Sequence, residues 1–231
     1  SGSYSAYQFL LDKIRNLEIT PAQLALEPCS AGCVITNPNT GETLACVTYP
    51  GYDNNRLTNT MDSAYFAALN KDRSRPLYSR ATQEQTAPGS TMKPVITVAA
   101  LEEGVISPSE IIDATGIYRE AYGEPTCWIY NQFHRSHGKI NVVEAIKVSC
   151  NYFFYEIGFR LGGGRTTEYS SDKALEIMNA YASKFGLNEK SGLEVPESAP
   201  RLSDTDGIRS AIGQGTNLFS VSQLVRYIGS V

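Results

Sequence analysis

The stretch from Pro88 to Gly104 reads P-G-S-T-M-K-P-V-I-T-V-A-A-L-E-E-G and decides how this chain folds. Its apolar run predicts a buried helix that begins at Ser90 and stops at Gly104. Pro94 fits this start because proline is tolerated in the first turn of a helix and not deeper. We therefore expect Ser90 and Lys93 at the beginning of a helix that packs into the protein core.

Ser90 and Lys93 are three residues apart, so their side chains project from the same face of that helix. A serine hydroxyl becomes a good nucleophile when a base takes its proton. A lysine can be that base when burial and the positive helix N-terminus lower its pKa. The backbone N–H of Ser90, in the first turn, can also stabilise an oxyanion on a carbonyl that Ser90 attacks. The stretch predicts a Ser/Lys pair for nucleophilic catalysis.

The S-x-x-K spacing alone is not specific, because it recurs at Ser170 and Lys173. There we expect Ser170 or Ser171 to cap an amphipathic helix and Lys173 to be solvated. Ser90 differs because Pro-Gly precedes it and an apolar helix follows it. Only Ser90 is therefore taken as a candidate nucleophile.

A second polar element, Ser149-Cys150-Asn151, is the only S-x-N in the chain and falls between two predicted helices. A tight turn there would place the Ser149 hydroxyl and the Asn151 amide on the same side. Such a pair suits a site that relays a proton and hydrogen-bonds a peptide amide. Alternatively, Asn151 caps the helix that follows. The residues themselves leave both interpretations open.

Together these elements resemble the penicillin-binding protein transpeptidase family, whose signature combines S-x-x-K, S-x-N and K-[TS]-G. The resemblance runs from about Ile19 to the end and is nearest to the class B, monofunctional D,D-transpeptidase type. Four further segments carry it: Gly32 to Pro50 as the first hairpin, Ser79-Arg80-Ala81, His137-Gly138, and Ile212-Gly213-Gln214-Gly215.

By this resemblance Ser90 would be the acylated nucleophile, Lys93 the base, Ser149 the proton relay and Asn151 a ligand of the donor peptide. The backbone N–H of Ser90 would be one oxyanion donor. The implied reaction cross-links peptidoglycan: Ser90 attacks a D-Ala-D-Ala amide, D-alanine leaves, and an amine of a neighbouring stem peptide takes the acyl group. The implied partners are peptidoglycan stem peptides, acylating β-lactams and other wall-synthesis proteins.

The same fold also serves other functions, which stay open as alternatives. An acyl-enzyme could be hydrolysed, as in a D,D-carboxypeptidase or a β-lactamase, or could act as a β-lactam sensor. No carboxylate that could drive deacylation is identifiable near the matched motifs, which disfavours efficient β-lactamase action. A further alternative is an inactive fragment that acts only as a scaffold.

The third motif is where the sequence departs from the family. Lys190-Ser191-Gly192 satisfies K-[TS]-G, but it precedes Gly213-Gln214-Gly215, whereas the family's motif follows that glycine pair on a strand. We interpret it as a surface turn. The true motif and its strand would then be missing, and losing one oxyanion donor typically costs ~100 to 1,000-fold in rate.

The resemblance implies an α/β fold of the α+β type, β-lactamase/transpeptidase-like, with a five-stranded antiparallel sheet flanked by helices. The sequence predicts only two good strands, so we expect one partial transpeptidase domain, truncated before its C-terminal strands. Within residues 1–231 we expect an N-terminal helix and lead-in at 1–30 and a β-hairpin at 31–50. A surface excursion at 51–87 and a mainly helical part at 88–231, which carries the site, complete this division.

Further helices are predicted outside the Ser90 segment. Leu10, Ile14 and Leu17 have the spacing of an amphipathic helix that stops near Thr20-Pro21, and a short helix is expected around Met61 to Leu69. Capping boxes of Asn141 with Glu144 and of Ser220 with Gln223 predict two more helices, the second still helical at Val231. Apolar residues predict helices at Tyr152 to Leu161 and at Ser171 to Phe185.

The composition argues against several classes of partner. The chain has 231 residues, a formal net charge of −4 and a pI near 5.3, which gives no electrostatic footprint for nucleic acid or for an anionic membrane surface. No apolar run reaches the ~18 residues that span a bilayer. We expect membrane attachment only through an anchor that this chain lacks, on the extracytoplasmic face of the bacterial membrane as the resemblance implies.

The five cysteines form no C-x-x-C pair, so neither a zinc knuckle nor a dense disulfide framework is predicted. Cys127, His134 and His137 could supply three metal ligands, but zinc motifs usually bring closely paired ligands in a compact loop. We expect neither a metal nor a cofactor. Cys29 and Cys33 could form a disulfide outside the cell or remain two buried thiols.

Overall fold

The computed structural model describes residues 5–16, 18 and 30–231. Helix α1 (Ala6–Arg15) begins after Ser5, whose side chain accepts the N–H of Gln8. The amphipathic helix predicted around Leu10 and Ile14 is confirmed. The other positions of that prediction, Leu17 and the Thr20-Pro21 stop, lie outside the described residues, as does Cys29. Cys33 is exposed rather than buried.

The predicted hairpin is confirmed as strands β1 (Ala31–Thr36) and β2 (Thr43–Tyr49), which pair antiparallel with an irregularity after Ile35. The turn between them is closed by Gly41, whose φ of 75° favours glycine. Gly32 allows the hairpin to lie against the backbone at Arg80, since a Cβ there would come within 2.7 Å of the Arg80 carbonyl oxygen. The hairpin thereby supports the segment that leads to Ser90.

The excursion after the hairpin is largely exposed and has little regular structure. It contains a 3₁₀ turn (Asn54–Arg56) and helix α2 (Ser63–Lys71), which confirms the short helix expected around Met61 to Leu69. Asp62 caps α2 by accepting the N–H of Tyr65 at 2.9 Å.

The helix predicted from Ser90 to Gly104 is divided. A 3₁₀ turn (Gly89–Met92) precedes helix α3 (Lys93–Glu102), so Ser90 lies in the tighter turn and not in the α-helix. Pro94 at the second residue of α3 accounts for the boundary, because it lacks the N–H that would extend the α-helix backward.

Three further helices confirm their predicted positions: α5 (Val142–Lys147), α6 (Asn151–Leu161) and α7 (Ser171–Lys184). Asn141 and Glu144 form the expected capping box at α5. Helices α3, α6 and α7 pack together around the main core. Its largest buried side chains include Met92, Val95, Ile96, Phe153, Phe154, Ile157, Leu161, Met178 and Leu187.

Four short elements were not predicted: β3 (Ile112–Ala114), α4 (Trp128–Phe133), β4 (Gly138–Ile140) and α8 (Gly207–Ser210). Each has three to six residues, too few to establish a hydrophobic period. Strands β3 and β4 pair with each other, so the described residues form two separate two-stranded sheets. The sequence had indicated only one of them.

Helix α9 (Val221–Ile228) has the predicted capping box of Ser220 and Gln223. The expectation that it continues to Val231 is wrong, because Gly229 ends it. Helix α9 packs against β1. Phe219, just before α9, forms an isolated β-bridge with Thr86, which lies in the segment before Ser90. Among the described residues, every helix is too short or too polar to cross a lipid bilayer.

A pair of valines on α3 tests the position of the core. Val95 is 0% exposed and Val98 is 37% exposed. We expect Val95→Ala to lower the free energy of unfolding by about 2 kcal/mol, because it removes buried methyl groups and leaves a cavity. The matched variant Val98→Ala should cost about 0.5 kcal/mol or less. Equal losses in urea unfolding would contradict this packing of α3.

Candidate active site

The four residues singled out in the sequence meet in one hydrogen-bonded chain. The Lys93 Nζ donates to the Ser149 Oγ at 2.9 Å and to the Asn151 Oδ1 at 2.8 Å. The Ser149 Oγ lies 2.9 Å from the Ser90 Oγ. The sequence spacing suggested a direct contact between Lys93 and Ser90, whereas the hydrogen bonds of the described residues connect them through Ser149.

Ser90 is exposed, although the turn that carries it is tightly packed. The N–H of Gly89 donates to the carbonyl of Gly213 at 3.0 Å. A Cβ at Gly213 would lie 2.0 Å from the Gly89 carbonyl oxygen, and the φ of 71° at Gly213 also favours glycine. The Tyr227 hydroxyl donates to the Thr91 carbonyl at 2.9 Å on the other side. These contacts fix the Ser90 turn between α3, α9 and the segment at Gly213.

Lys93 is only 2% exposed. Burial lowers the pKa of its amine to about 8 from the usual 10.5, because removing a charge from water disfavours the ammonium form. Its third hydrogen bond goes to the carbonyl of Ser149 at 3.0 Å, so all three N–H groups of the ammonium have acceptors. The face of Phe154 lies 5.2 Å from the nitrogen. Lys93 can therefore exchange a proton near neutral pH.

Ser149 occupies a left-handed backbone conformation, with a φ of 51° that is uncommon for a residue with a side chain. Its N–H donates to the carbonyl of Ile146 at 3.0 Å and closes a turn after α5. Asn151 is the first residue of α6, and Cys150 occupies the cap position. The alternative in which Asn151 caps α6 is wrong, since its side-chain oxygen accepts from Lys93 instead.

The other motif matches lie apart from this chain of hydrogen bonds. Ser170 caps α7 by accepting the N–H of Lys173 at 3.3 Å, as predicted. The carbonyl of Lys190 accepts from Arg226, and Ser191 donates to Glu197. None of the described hydrogen bonds joins residues 190–192 to the four site residues.

A cluster of two thiols and an imidazole lies directly behind the site. The sulfurs of Cys127 and Cys150 are 3.9 Å apart, and the His137 Nδ1 is 3.6 Å from the Cys127 sulfur. The sequence had grouped Cys127 with both histidines, but His134 ends α4 with its ring against Tyr130. Sequence spacing gave no reason to include Cys150, which joins the cluster because the residues that cap α4 and α6, Cys127 and Cys150, lie side by side.

The two thiols have opposite electrostatic environments. A hydrogen bond from Cys150 and backbone N–H groups, including that of Asn151, lower the pKa of Cys127 against the effect of burial. The same hydrogen bond and burial raise the pKa of Cys150. Potential ligand atoms of Cys127, His137 and Cys150 lie within 4.8 Å of one another and could hold a metal ion. Closed structural zinc sites take four protein ligands, and the described residues bring three to this position.

Comparison with known proteins gives a consistent result. The family model described as the penicillin binding protein transpeptidase domain matches residues 31–230. The peptidoglycan D,D-transpeptidase MrdA of Escherichia coli K12 is 31% identical over 167 residues, which cover 72% of this chain and 24% of that protein. The peptidoglycan D,D-transpeptidase PbpA of Mycolicibacterium smegmatis is 33% identical over 168 residues, which cover 70% of this chain and 31% of that protein. The chain thus spans about a quarter to a third of the length of these curated relatives.

Solved structures show the same likeness. PBP2 of Pseudomonas aeruginosa, in complex with WCK 5153, has a TM-score of 0.74 at 25% identity, over 90% of this chain and 48% of that one. A chain of a peptidoglycan synthase complex has a TM-score of 0.73 at 29% identity. The match covers 86% of this chain and 34% of that one. The imipenem acyl-enzyme of penicillin-binding protein A from M. tuberculosis shares the fold, with a TM-score of 0.71 at 23% identity. The match covers 88% of this chain and 46% of that one.

The buried position of Lys93 predicts an unusual titration. We expect its amine to titrate near pH 8 in an NMR titration of lysine-labelled protein, with the resonance assigned by its loss in Lys93→Met. Because the unfolded chain keeps this proton up to about 10.5, folding stability should rise between these two pH values. That rise should be absent in Lys93→Met. A titration near the ordinary lysine value would contradict the burial.

Proposed function

Because the chain belongs to the penicillin-binding protein transpeptidase family, we propose that it acts in peptidoglycan D,D-transpeptidation through an acyl-enzyme at Ser90. The expected α+β, β-lactamase/transpeptidase-like fold is confirmed by this membership and by the solved penicillin-binding proteins. The observation that carries the proposal is the unbroken path from the Ser90 Oγ through the Ser149 Oγ to the Lys93 Nζ, with both steps at 2.9 Å.

Acylation begins with Lys93 in its neutral form. The Ser90 hydroxyl then donates to the Ser149 Oγ, and the Ser149 hydroxyl donates to the Lys93 nitrogen. As the Ser90 oxygen attacks the carbonyl between the two D-alanines, its proton passes along this path and Lys93 becomes an ammonium. The N–H of Ser90, in the first turn of its 3₁₀ segment, stabilises the resulting oxyanion.

The same path returns the proton to the leaving group. When the C–N bond breaks, Ser149 gives its proton to the departing D-alanine amine and is reprotonated by Lys93. An acceptor amine of a second stem peptide then attacks the ester carbonyl, loses a proton to the relay and regenerates the Ser90 hydroxyl. Asn151 binds the donor peptide through its side-chain amide, because its oxygen is held by Lys93 and its NH₂ group can donate to a peptide carbonyl.

We assign β-lactams as acylating ligands and wall-synthesis proteins as partners. The family is named for penicillin binding, and a relative of the same fold at 29% identity belongs to a peptidoglycan synthase complex. Stem peptides follow from the proposed reaction, which places its substrate on the extracytoplasmic side of the membrane.

Hydrolysis of the acyl-enzyme is the second candidate, and one observation weighs against it. Among the described hydrogen bonds of Ser90, Lys93, Ser149 and Asn151, none involves a carboxylate. A carboxylate of this kind could activate a deacylating water. Its absence from these hydrogen bonds weighs against efficient β-lactamase action.

Covalent labelling tests the nucleophile. The complete protein should gain the mass of one benzylpenicillin, measured by intact mass spectrometry, because the β-lactam ring is opened by the Ser90 oxygen. Ser90→Ala should give no adduct. The control Ser170→Ala, in another S-x-x-K match, should label like the wild type because Ser170 caps α7. No adduct on the wild type, or one that survives Ser90→Ala, would exclude the proposal.

The pH dependence of labelling tests the base. Since the neutral amine of Lys93 accepts the proton, the acylation rate constant should rise with pH and level off above about 8. Below that value it should fall about tenfold for each pH unit, provided that no other group titrates. Lys93→Arg should lose about 100-fold or more at every pH, because a guanidinium stays protonated. A flat profile in the wild type would show that Lys93 is not the base.

A further inference from the structure

The turn that carries Ser149 is held at both of its ends by two adjacent residues of another segment. The indole N–H of Trp128 donates to the carbonyl of Val148 at 3.1 Å. The N–H of Asn151 donates to the sulfur of Cys127 at 3.2 Å. The cap and first residue of α4 thus contact the backbone immediately before and after Ser149-Cys150.

This turn needs external support because its backbone conformation is unfavourable. Ser149 has a φ of 51°, in the left-handed region where side chains other than those of glycine are disfavoured. Such residues persist where the surrounding structure holds them, and they concentrate at active sites. The turn has hydrogen bonds of its own to α5, from the N–H groups of Ser149 and Cys150. These bonds involve neither the Val148 carbonyl nor the Asn151 N–H. Those two groups are the ones that bond to Trp128 and Cys127.

Resting on the function proposed above, we infer that Cys127 and Trp128 form a positioning clamp for the proton relay. Among the described hydrogen bonds, none joins Cys127 or Trp128 to the Ser90 or Lys93 side chain. Their hydrogen bonds keep the Ser149 Oγ at 2.9 Å from both the Ser90 Oγ and the Lys93 Nζ. Because proton transfer requires hydrogen-bond distances on both sides, a small rotation of this turn would interrupt the relay while leaving the substrate contacts of Ser90 in place.

Further contacts hold Cys127 and Trp128 in place. The N–H of Cys127 donates to the carbonyl of Gly116 at 2.8 Å, which ties the start of α4 to the strand region around β3. His137 contacts both members: its Nδ1 lies 3.6 Å from the Cys127 sulfur, and its ring packs edge-on to Trp128 at 5.6 Å. Cys127 is buried, whereas Trp128 is 36% exposed and can be changed with little effect on the core.

The sulfur of Cys127 can accept this hydrogen bond, because a cysteine sulfur is an acceptor and the Asn151 nitrogen lies 3.2 Å from it. The Cys150 sulfur lies 3.9 Å away and the His137 Nδ1 lies 3.6 Å away.

The test measures where in the reaction each variant acts. Trp128→Phe keeps an aromatic ring and removes only the N–H, and Cys127→Ala removes the acceptor. In stopped-flow acylation of the complete protein by a chromogenic cephalosporin, we expect each to lower the limiting acylation rate about fivefold, as for one net hydrogen bond. The half-saturating concentration should not change. Cys127→Ser, which restores an acceptor, should recover most of the rate.

Two controls separate positioning from general damage. Tyr130→Phe removes a polar group from the same helix without touching the turn, and it should acylate like the wild type. In a Ser149→Ala background, where no relay remains to be positioned, Trp128→Phe should have no further effect. The thermal midpoints of the variants should be compared, so that a rate is interpreted only for folded protein.

Several results would overturn the clamp. One is acylation of Trp128→Phe and Cys127→Ala at the wild-type rate. Another is a loss of rate that persists unchanged in the Ser149→Ala background. A stoichiometric metal ion that is lost in Cys127→Ser would assign the sulfur to coordination instead of hydrogen bonding. Failure of the proposed function would look different, because the wild type would then form no Ser90 adduct at all.

Discussion

The burial of one lysine is the constraint on which the rest of this structure depends. An ammonium removed from water must be compensated, and the described residues offer Lys93 neutral oxygens as hydrogen-bond acceptors, two on Ser149 and one on Asn151. Neutral acceptors stabilise the charge less than a carboxylate would, so the proton is held weakly. The packing of α3 against α6 thus produces both the core of the protein and the base of its site.

A second buried charge, the carboxylate of Glu156, is compensated by charged partners instead of neutral ones. Glu156, also on α6, accepts hydrogen bonds from the Tyr118 hydroxyl, from Arg160 at 2.7 Å and from Arg165 at 2.8 Å. Burial alone would raise the pKa of this carboxyl, but these partners lower it, so it stays ionised. A paired charge of this kind supports structure and has no free proton to exchange. The same helix therefore contributes a structural charge at one turn and a functional contact at another.

Much of the fold could be predicted because several local signals agreed. The hairpin turn, the Asn141 and Ser220 capping boxes and the apolar run of α6 each specify their element from a few neighbouring residues. The short strands β3 and β4 could not be predicted, because three residues carry no period and their pairing is a long-range contact. The end of α9 was misplaced, because Gly229 ends the helix two residues before Val231.

The sequence by itself determined which residues could react: Ser90 and Lys93 one helical turn apart, and Ser149 with Asn151 around a turn. Side-chain type and short spacing are local properties that can be read without a fold. Only the tertiary structure decided how they connect. It placed Ser149 between Ser90 and Lys93, buried the amine and brought Cys127 and Trp128 against the turn. These contacts join residues 20 or more positions apart, so they depend on how the chain brings α3 and the starts of α4 and α6 together.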